Sequence, residues 1–256
     1  MATEFIRTGW DVKAMQKSIV MSATYRQDSK MNADIVQRDP DNRLLSHGPN
    51  YRLPALTVRD QALAIAGLLV NETGGPSVMP YQPEGLWKEL AADAEYKQVH
   101  GKDLYRRSLY TYWRRTAPPP TMSNFDAPSR ESCVVRESST NTPLQALDLM
   151  NDVTFVEAAR VFAQRILNEG GKLPAERIDY AFRRALGRHV KPAERDVVMD
   201  YLRFQMDSFK SRPDAALKYV SQGETPRDQK LDASELAAYT SVASLILNLN
   251  QTVMKE

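Results

Sequence analysis

Two carboxylates and an arginine fall within one short stretch, at Asp126, Arg130 and Glu131. Side chains of these types can serve as acid, base and anion stabiliser in general acid–base chemistry. Sequence spacing gives no distance between the carboxylates, so it assigns no stereochemical course of glycoside cleavage. The competing reading is an ion-paired turn cluster that fixes a loop.

A second grouping lies just upstream. Arg106-Arg107 and Arg114-Arg115 interleave with Tyr105, Tyr110, Tyr112 and Trp113, and Asn141 follows beyond the carboxylates. Arginines among aromatics can clasp a single-stranded nucleic acid or stack on sugar rings. They equally suit a strand whose aromatics pack inward while the arginines pair with carboxylates. The 34 Lys and Arg against 32 Asp and Glu leave a net charge of only +2. That balance argues against nucleic acid, whose binding draws on a basic excess, and leaves a polysaccharide or acidic ligand as the better match.

Other features carry less chemistry. His47, His100 and His189 show no ligand spacing, and Gly74-Gly75-Pro76-Ser77 lacks the lysine of a phosphate loop, so no metal or cofactor is expected in this chain. Cys133 stands alone, which excludes an internal disulfide and a CxxCH haem attachment. Arg130 and Arg136 beside it would make the thiol reactive if exposed, whereas on a core-facing strand it is inert, the reading preferred here. The opening residues lack a signal-peptide pattern, and no apolar run approaches the ~20 residues of a transmembrane segment.

The elements that must position these residues are helical. Hydrophobic residues make up 42% and charged residues 26% of 256, a composition that supports a packed core. After Asp152, Phe155, Ala158, Ala159, Phe162, Ala163, Ile166 and Leu167 fall at helical spacing, with Glu157, Arg160, Gln164 and Arg165 assigned to solvent and Gly170-Gly171 as terminator. Thr142-Pro143-Leu144-Gln145 reads as a capping box opening a short helix with Leu144, Leu147 and Met150 inward. Ile178 to Leu186 closed by Gly187, a helix from Pro192 with Val198, Tyr201, Leu202, Gln205 and Phe209 inward, and one capped by Asp232 follow. Nearer the front, Asp11 caps one helix, and Thr57 with Asp60 caps another through Leu63, Ala66 and Leu69.

Residues 71–140 are irregular and proline-rich, with a short turn of helix at 84–90 and a polyproline II signal at Pro118-Pro119-Pro120. Residues 108–113 are β-prone and pair with Cys133-Val134-Val135 in at most a small hairpin. Residues 221–230 are polar and read as a mobile loop. The expected fold is therefore mainly α: one domain over residues 1–256, a helical array carrying an irregular proline-rich insert at 71–140.

Several stretches together resemble one family. They are Ser22-Ala23-Thr24-Tyr25-Arg26-Gln27, Asp39-Pro40-Asp41-Asn42-Arg43-Leu44-Leu45, Gly74-Gly75-Pro76-Ser77-Val78 and Gly85-Leu86-Trp87. Residues 105–113 (YRRSLYTYW), 125–131 (FDAPSRE), 140–147 (TNTPLQAL) and the ending Leu247-Asn248-Leu249-Asn250 continue the pattern in order. The chain resembles the C-terminal domain of unknown function of planctomycete cytochrome-like proteins. The resemblance implies an exported or cell-envelope setting and a haem c domain upstream, but no reaction and no catalytic residues. It also implies truncation at the N-terminus, since Ala2-Thr3-Glu4-Phe5-Ile6 reads like a helix interior in that family.

Two functions follow. The first is a binding module that docks a cytochrome-like partner or a polysaccharide through Arg106, Arg107, Tyr112, Trp113 and Asn141. The alternative is an enzyme acting on a sugar or related polar substrate, with Asp126 and Glu131 as acid and base and Arg130 as anion stabiliser. Convergence separates them, because an enzyme needs these groups in one pocket and a docking surface needs them spread and exposed.

Overall fold

Local capping sets most helix boundaries in the computed structural model, which describes residues 1–90, 95–135 and 138–255. The chain divides into two units, Arg52–Val253 and a smaller one of Met1–Tyr51 with the residues from Met254 onward. The smaller unit holds α1 (Ala2–Arg7), α2 (Val12–Val20) and α3 (Ala33–Arg38), none of which buries a residue. Asp11 caps α2 as expected, accepting from the Ala14 amide. Asp39 gathers the Arg43 and Leu44 amides and the Ser46 hydroxyl into a closed turn.

The larger unit is a helical array: α4 (Ala55–Ala66), α5 (Leu86–Leu90), α6 (Pro120–Asn124), α7 (Pro143–Asn151) and α8 (Val153–Glu169) come first. Next are α9 (Pro174–Leu186), α10 (Pro192–Lys210), α11 (Pro213–Val220), α12 (Ala233–Leu247) and α13 (Asn250–Val253). At its centre α12 packs on α8, α10 and α11, and α4 packs on α8 as well. Helix α12 is apolar almost all round and buries an unbroken run from Leu236 to Ala243, as a central helix must. Alanines at 158, 159, 163, 237, 238 and 243 let α8 and α12 approach closely, with Phe162 and Tyr239 filling the space between layers.

The expected mainly α architecture is what the structure has, and much of the punctuation holds. Thr142 and Gln145 form the reciprocal box, Asp232 accepts from the Glu235 amide, and Gly187 closes α9 in the left-handed region at φ 69°. Helix α4 differs: it starts after Pro54 and ends at Gly67, so Leu69 lies beyond it and Asp60 is free for another partner. In α7 the inward face is Gln145 and Leu149, leaving Leu144, Leu147 and Met150 exposed, because the box glutamine bonds onward to the Asn124 carbonyl and the Thr140 hydroxyl. Helix α11 was not foreseen, although Pro213 at its first position with Ala216 and Val220 buried one turn apart is a readable signal.

The β content also sits elsewhere than expected. Strands β1 (Tyr51–Arg52) and β2 (Met254–Lys255) form the two-stranded sheet. Residues 108–110 instead make a 3₁₀ turn, and this stretch joins the array through single parallel bridges, Val70 to Arg106 and Val78 to Thr111. Cys133, Val134 and Val135 are exposed and not in a strand, so the cysteine does not face a core. Among the described residues no helix is long and apolar enough to cross a membrane.

The α9–α10 turn shows how charge supports the array. Arg188 donates two hydrogen bonds to Glu194, at 2.8 and 2.7 Å, and the same carboxylate caps α10 through the Lys191 amide. The Arg188 bonds, opposed by partial burial and helped by the capping amide, hold the Glu194 carboxyl at about 2. A folded-state pKa below the unfolded one means this stabilisation is complete above the ordinary value of 4.5 and vanishes as pH falls toward 2. Thermal melts of Glu194→Gln should therefore show a lowered midpoint at pH 7 and a difference from the parent that shrinks steadily below pH 4.5.

Candidate functional site

The insert has little regular secondary structure, so its backbone carbonyls need donors from elsewhere when they are buried. Arginines supply them. On α4, Arg59 donates to the carbonyls of Arg106 at 3.0 Å and Leu104 at 2.7 Å and to the Ser108 hydroxyl at 3.2 Å. Its neighbour Asp60 accepts from both the amide and the hydroxyl of Ser108, each at 2.7 Å. Arg52 reaches the carbonyls of Thr140, Leu53 and Phe125 and the Asp126 carboxylate at 2.6 Å. Arg106 donates to the Pro76 and Gly74 carbonyls with its guanidinium 4.0 Å above the Tyr110 ring, holding the Gly74-Gly75 turn, whose φ values of 83° and 84° suit glycine.

A fully buried ion pair lies on α8. Glu157 and Arg160, assigned to solvent by periodicity, are 0% and 1% exposed. The Glu157 carboxylate accepts from the Tyr105 hydroxyl at 2.9 Å, the Tyr81 hydroxyl at 3.0 Å and the Thr225 amide at 2.6 Å. Arg160 lies 3.5 Å from that carboxylate and donates to the Thr225 carbonyl at 2.5 Å and to Gln164. Burial, then the adjacent Glu157 charge, raises the Tyr81 hydroxyl; burial likewise raises Tyr105, so both remain protonated donors. Burial lowers Arg160, and Glu157 opposes the shift.

This pair overturns the mobile reading of residues 221–230. Beyond Thr225, the Glu224 amide donates to the Tyr81 hydroxyl, the Glu224 carboxylate holds His100 and the Gly101 amide, and the Asp228 amide donates to Gln164. At Gly223, with φ 85°, a Cβ would stand 2.3 Å from the Glu157 carboxyl carbon, so the backbone passes where no side chain fits. Sequence reading missed Arg52, Arg59, Glu157 and Arg160 as organisers. Glu157 and Arg160 share a polar stripe with Gln164 and Asn168, so helical spacing carried no signal of their burial.

The sequence-derived candidates separate into inward and outward groups. Asp126, at φ 58°, turns toward Arg52 and accepts from the Thr140 amide at 2.7 Å and hydroxyl at 2.8 Å. Burial would raise its carboxyl, but the bonds from Thr140 and Arg52 prevail and lower it. Asp126 is half-buried, and Arg106 is buried in the clamp described above. Outside, Arg130 lies 4.8 Å over the half-buried Trp113 ring, whose indole N–H donates to the Ser129 carbonyl. Glu131 pairs with Arg115 at 3.4 Å, both exposed. Arg107, Tyr112 and Asn141 are exposed, and Tyr112 leans on buried Trp87, which Arg114 covers at 5.0 Å.

Asp126 and Glu131 thus turn to different partners, one a buried clamp and the other a solvated arginine. Cys133 is exposed, three residues after Arg130 in sequence, while Arg136 lies outside the described residues. His47 bonds the Gly48 carbonyl, His100 meets Glu224 and His189 meets Asp179 at 2.9 Å. Among the described residues no group of three or more His, Cys, Asp and Glu is placed to hold a metal ion.

The chain belongs to the PSD1 family, described as a protein of unknown function (DUF1553), whose model matches residues 1–202. That match spans the insert and α8 and stops within α10, before the loop that Glu157 holds. No curated protein and no solved structure matches the chain.

Replacing Glu157 tests the buried network. A glutamine has one acceptor oxygen where the carboxylate has two, and it leaves Arg160 without a countercharge. Glu157→Gln should cost about 3–5 kcal/mol in urea denaturation, the range for breaking one side of a buried pair. Amide exchange at residues 224–228 should accelerate with it. Unchanged stability and protection would show that the network holds nothing in place.

Proposed function

We propose that this chain is a non-enzymatic helical module of an exported, planctomycete-type multidomain protein, and that the outward face of its insert docks a cytochrome-like partner bearing haem c. The observation that carries this reading is the division of the insert's arginines. Arg52, Arg59 and Arg106 are consumed by backbone carbonyls, whereas Arg107, Arg115 and Arg130 stand exposed, Arg115 beside Glu131 and Arg130 against the Trp113 ring. Exposed charges beside a partly apolar surface steer a complementary, acidic partner more than they bind it tightly.

The polysaccharide reading has less support. A sugar platform needs a bare aromatic face, but Trp87 is buried and Trp113 already carries Arg130 against its ring. The enzyme reading also weakens, because the hydrogen bonds from Thr140 and Arg52 lower the Asp126 carboxyl, which makes it a poor proton donor, and Glu131 turns to a different partner, Arg115. Nucleic-acid binding has less support because the chain carries a net charge of only +2.

The test is titration of the chain with an acidic haem c domain at low and raised salt, alongside a panel of soluble polysaccharides. Arg107→Glu, Arg115→Glu and Arg130→Glu should each weaken cytochrome binding about fivefold at low ionic strength, with the differences fading as salt rises. Equal binding by all three variants, or saturable polysaccharide binding that salt leaves intact, would refute the proposal.

A further inference from the structure

Beneath the insert, a cavity of about 40 Å³ lies between α4, α6 and the start of α8. On the scale where one water takes about 10–15 Å³, it has room for three or four heavy atoms. Phe125, Phe155, Met122 and Ala55 form its apolar wall. The polar wall is unusual in what it leaves unused. Thr111 is 4% exposed and its hydroxyl has no partner, and the buried Gln82 amide nitrogen has none either.

Arg59 adds a cation to the same wall. Its three hydrogen bonds go to neutral oxygens and leave two of the five guanidinium N–H groups over. The nearest carboxylate, on Asp60, stands 3.8 Å away and is occupied by Ser108. Asp152 also lines the space, but its oxygens already accept from the Thr121 hydroxyl at 2.7 Å and the Thr154 amide at 2.8 Å. The Tyr96 hydroxyl is likewise spent on the Pro80 carbonyl.

We infer that this cavity is a binding site for a small carboxylate of formate or acetate size, held by Arg59, the Gln82 amide and the Thr111 hydroxyl. The lining offers unspent donors and a fixed positive charge, and both oxygens of its one carboxylate, on Asp152, are already engaged, so its complement is a compact anion that accepts several hydrogen bonds. A methyl group would rest against Phe125 and Phe155. Exposed Pro83 and half-buried Gln82 stand at the rim, which gives a route from solvent. The site uses no residue of the docking face, so either proposal can fail alone.

The experiment is titration of the chain with sodium acetate at ionic strength held constant with chloride, read by thermal midpoint and amide chemical shifts. Acetate should raise the midpoint saturably and shift the amides of residues 82 and 111. Thr111→Val removes a hydroxyl that has no protein partner, so the variant should keep the parent midpoint without acetate. It should bind acetate roughly ten- to a hundredfold more weakly, as expected for losing a hydrogen bond to a charged group. Gln82→Leu should act in the same direction. No saturable response in the parent, or an equal response in Thr111→Val, overturns the inference, as does a crystal grown in acetate with only water on these atoms.

Discussion

A loop that packs against helices brings its peptide carbonyls out of water, and each one then needs a donor. In this protein that requirement falls on arginine. Arg52, Arg59 and Arg106 each hold at least two carbonyls distant from them in sequence, and Arg160 holds the Thr225 carbonyl in the connection before α12. The guanidinium suits the task because its planar fork directs several donors at once and remains charged when buried. Those bridges, with the bonds that Asp60 and Glu157 accept, hold the insert to one path across α4 and α8.

Burying the cations carries its own cost, and the structure offsets it unevenly. Arg160 has Glu157 within reach and Arg52 has Asp126, but Arg59 has only a carboxylate already engaged by Ser108. Buried pairs of this kind contribute little net stability compared with apolar packing, yet losing one partner is expensive. Their effect is to select one arrangement. Tyr81, Tyr105 and Thr225 come from three separate segments and meet at a single carboxylate, which fixes the insert and the α11–α12 connection together.

This division also explains why the arginine-rich stretch does not act as one unit. Adjacent residues in an irregular segment alternate between the packed side and the solvent side, so Arg106 serves the fold and Arg107 faces water. Binding chemistry is left to the residues the core does not need, and these lie on the loops of a rigid helical support, where recognition surfaces commonly occur. The spare donors beneath Thr111 are different, since they are buried and still unspent.

The amino-acid order by itself determined most of the longer helices and several of their ends. Capping boxes, proline at first positions and glycine terminators act over three or four residues, so Thr142, Asp232, Pro192 and Gly187 were readable without a fold. It also supported a mainly α class and an irregular insert at 71–140. Only the tertiary structure decided which helix faces were inward, because that depends on what lies opposite. Periodicity put Glu157 and Arg160 in solvent and Leu144, Leu147 and Met150 in the core, and long-range partners reversed both. The roles of Asp126 and Arg106 were hidden for the same reason: a carboxylate or guanidinium has the same chemistry in a site as in a clamp, and its partners lie scores of residues away.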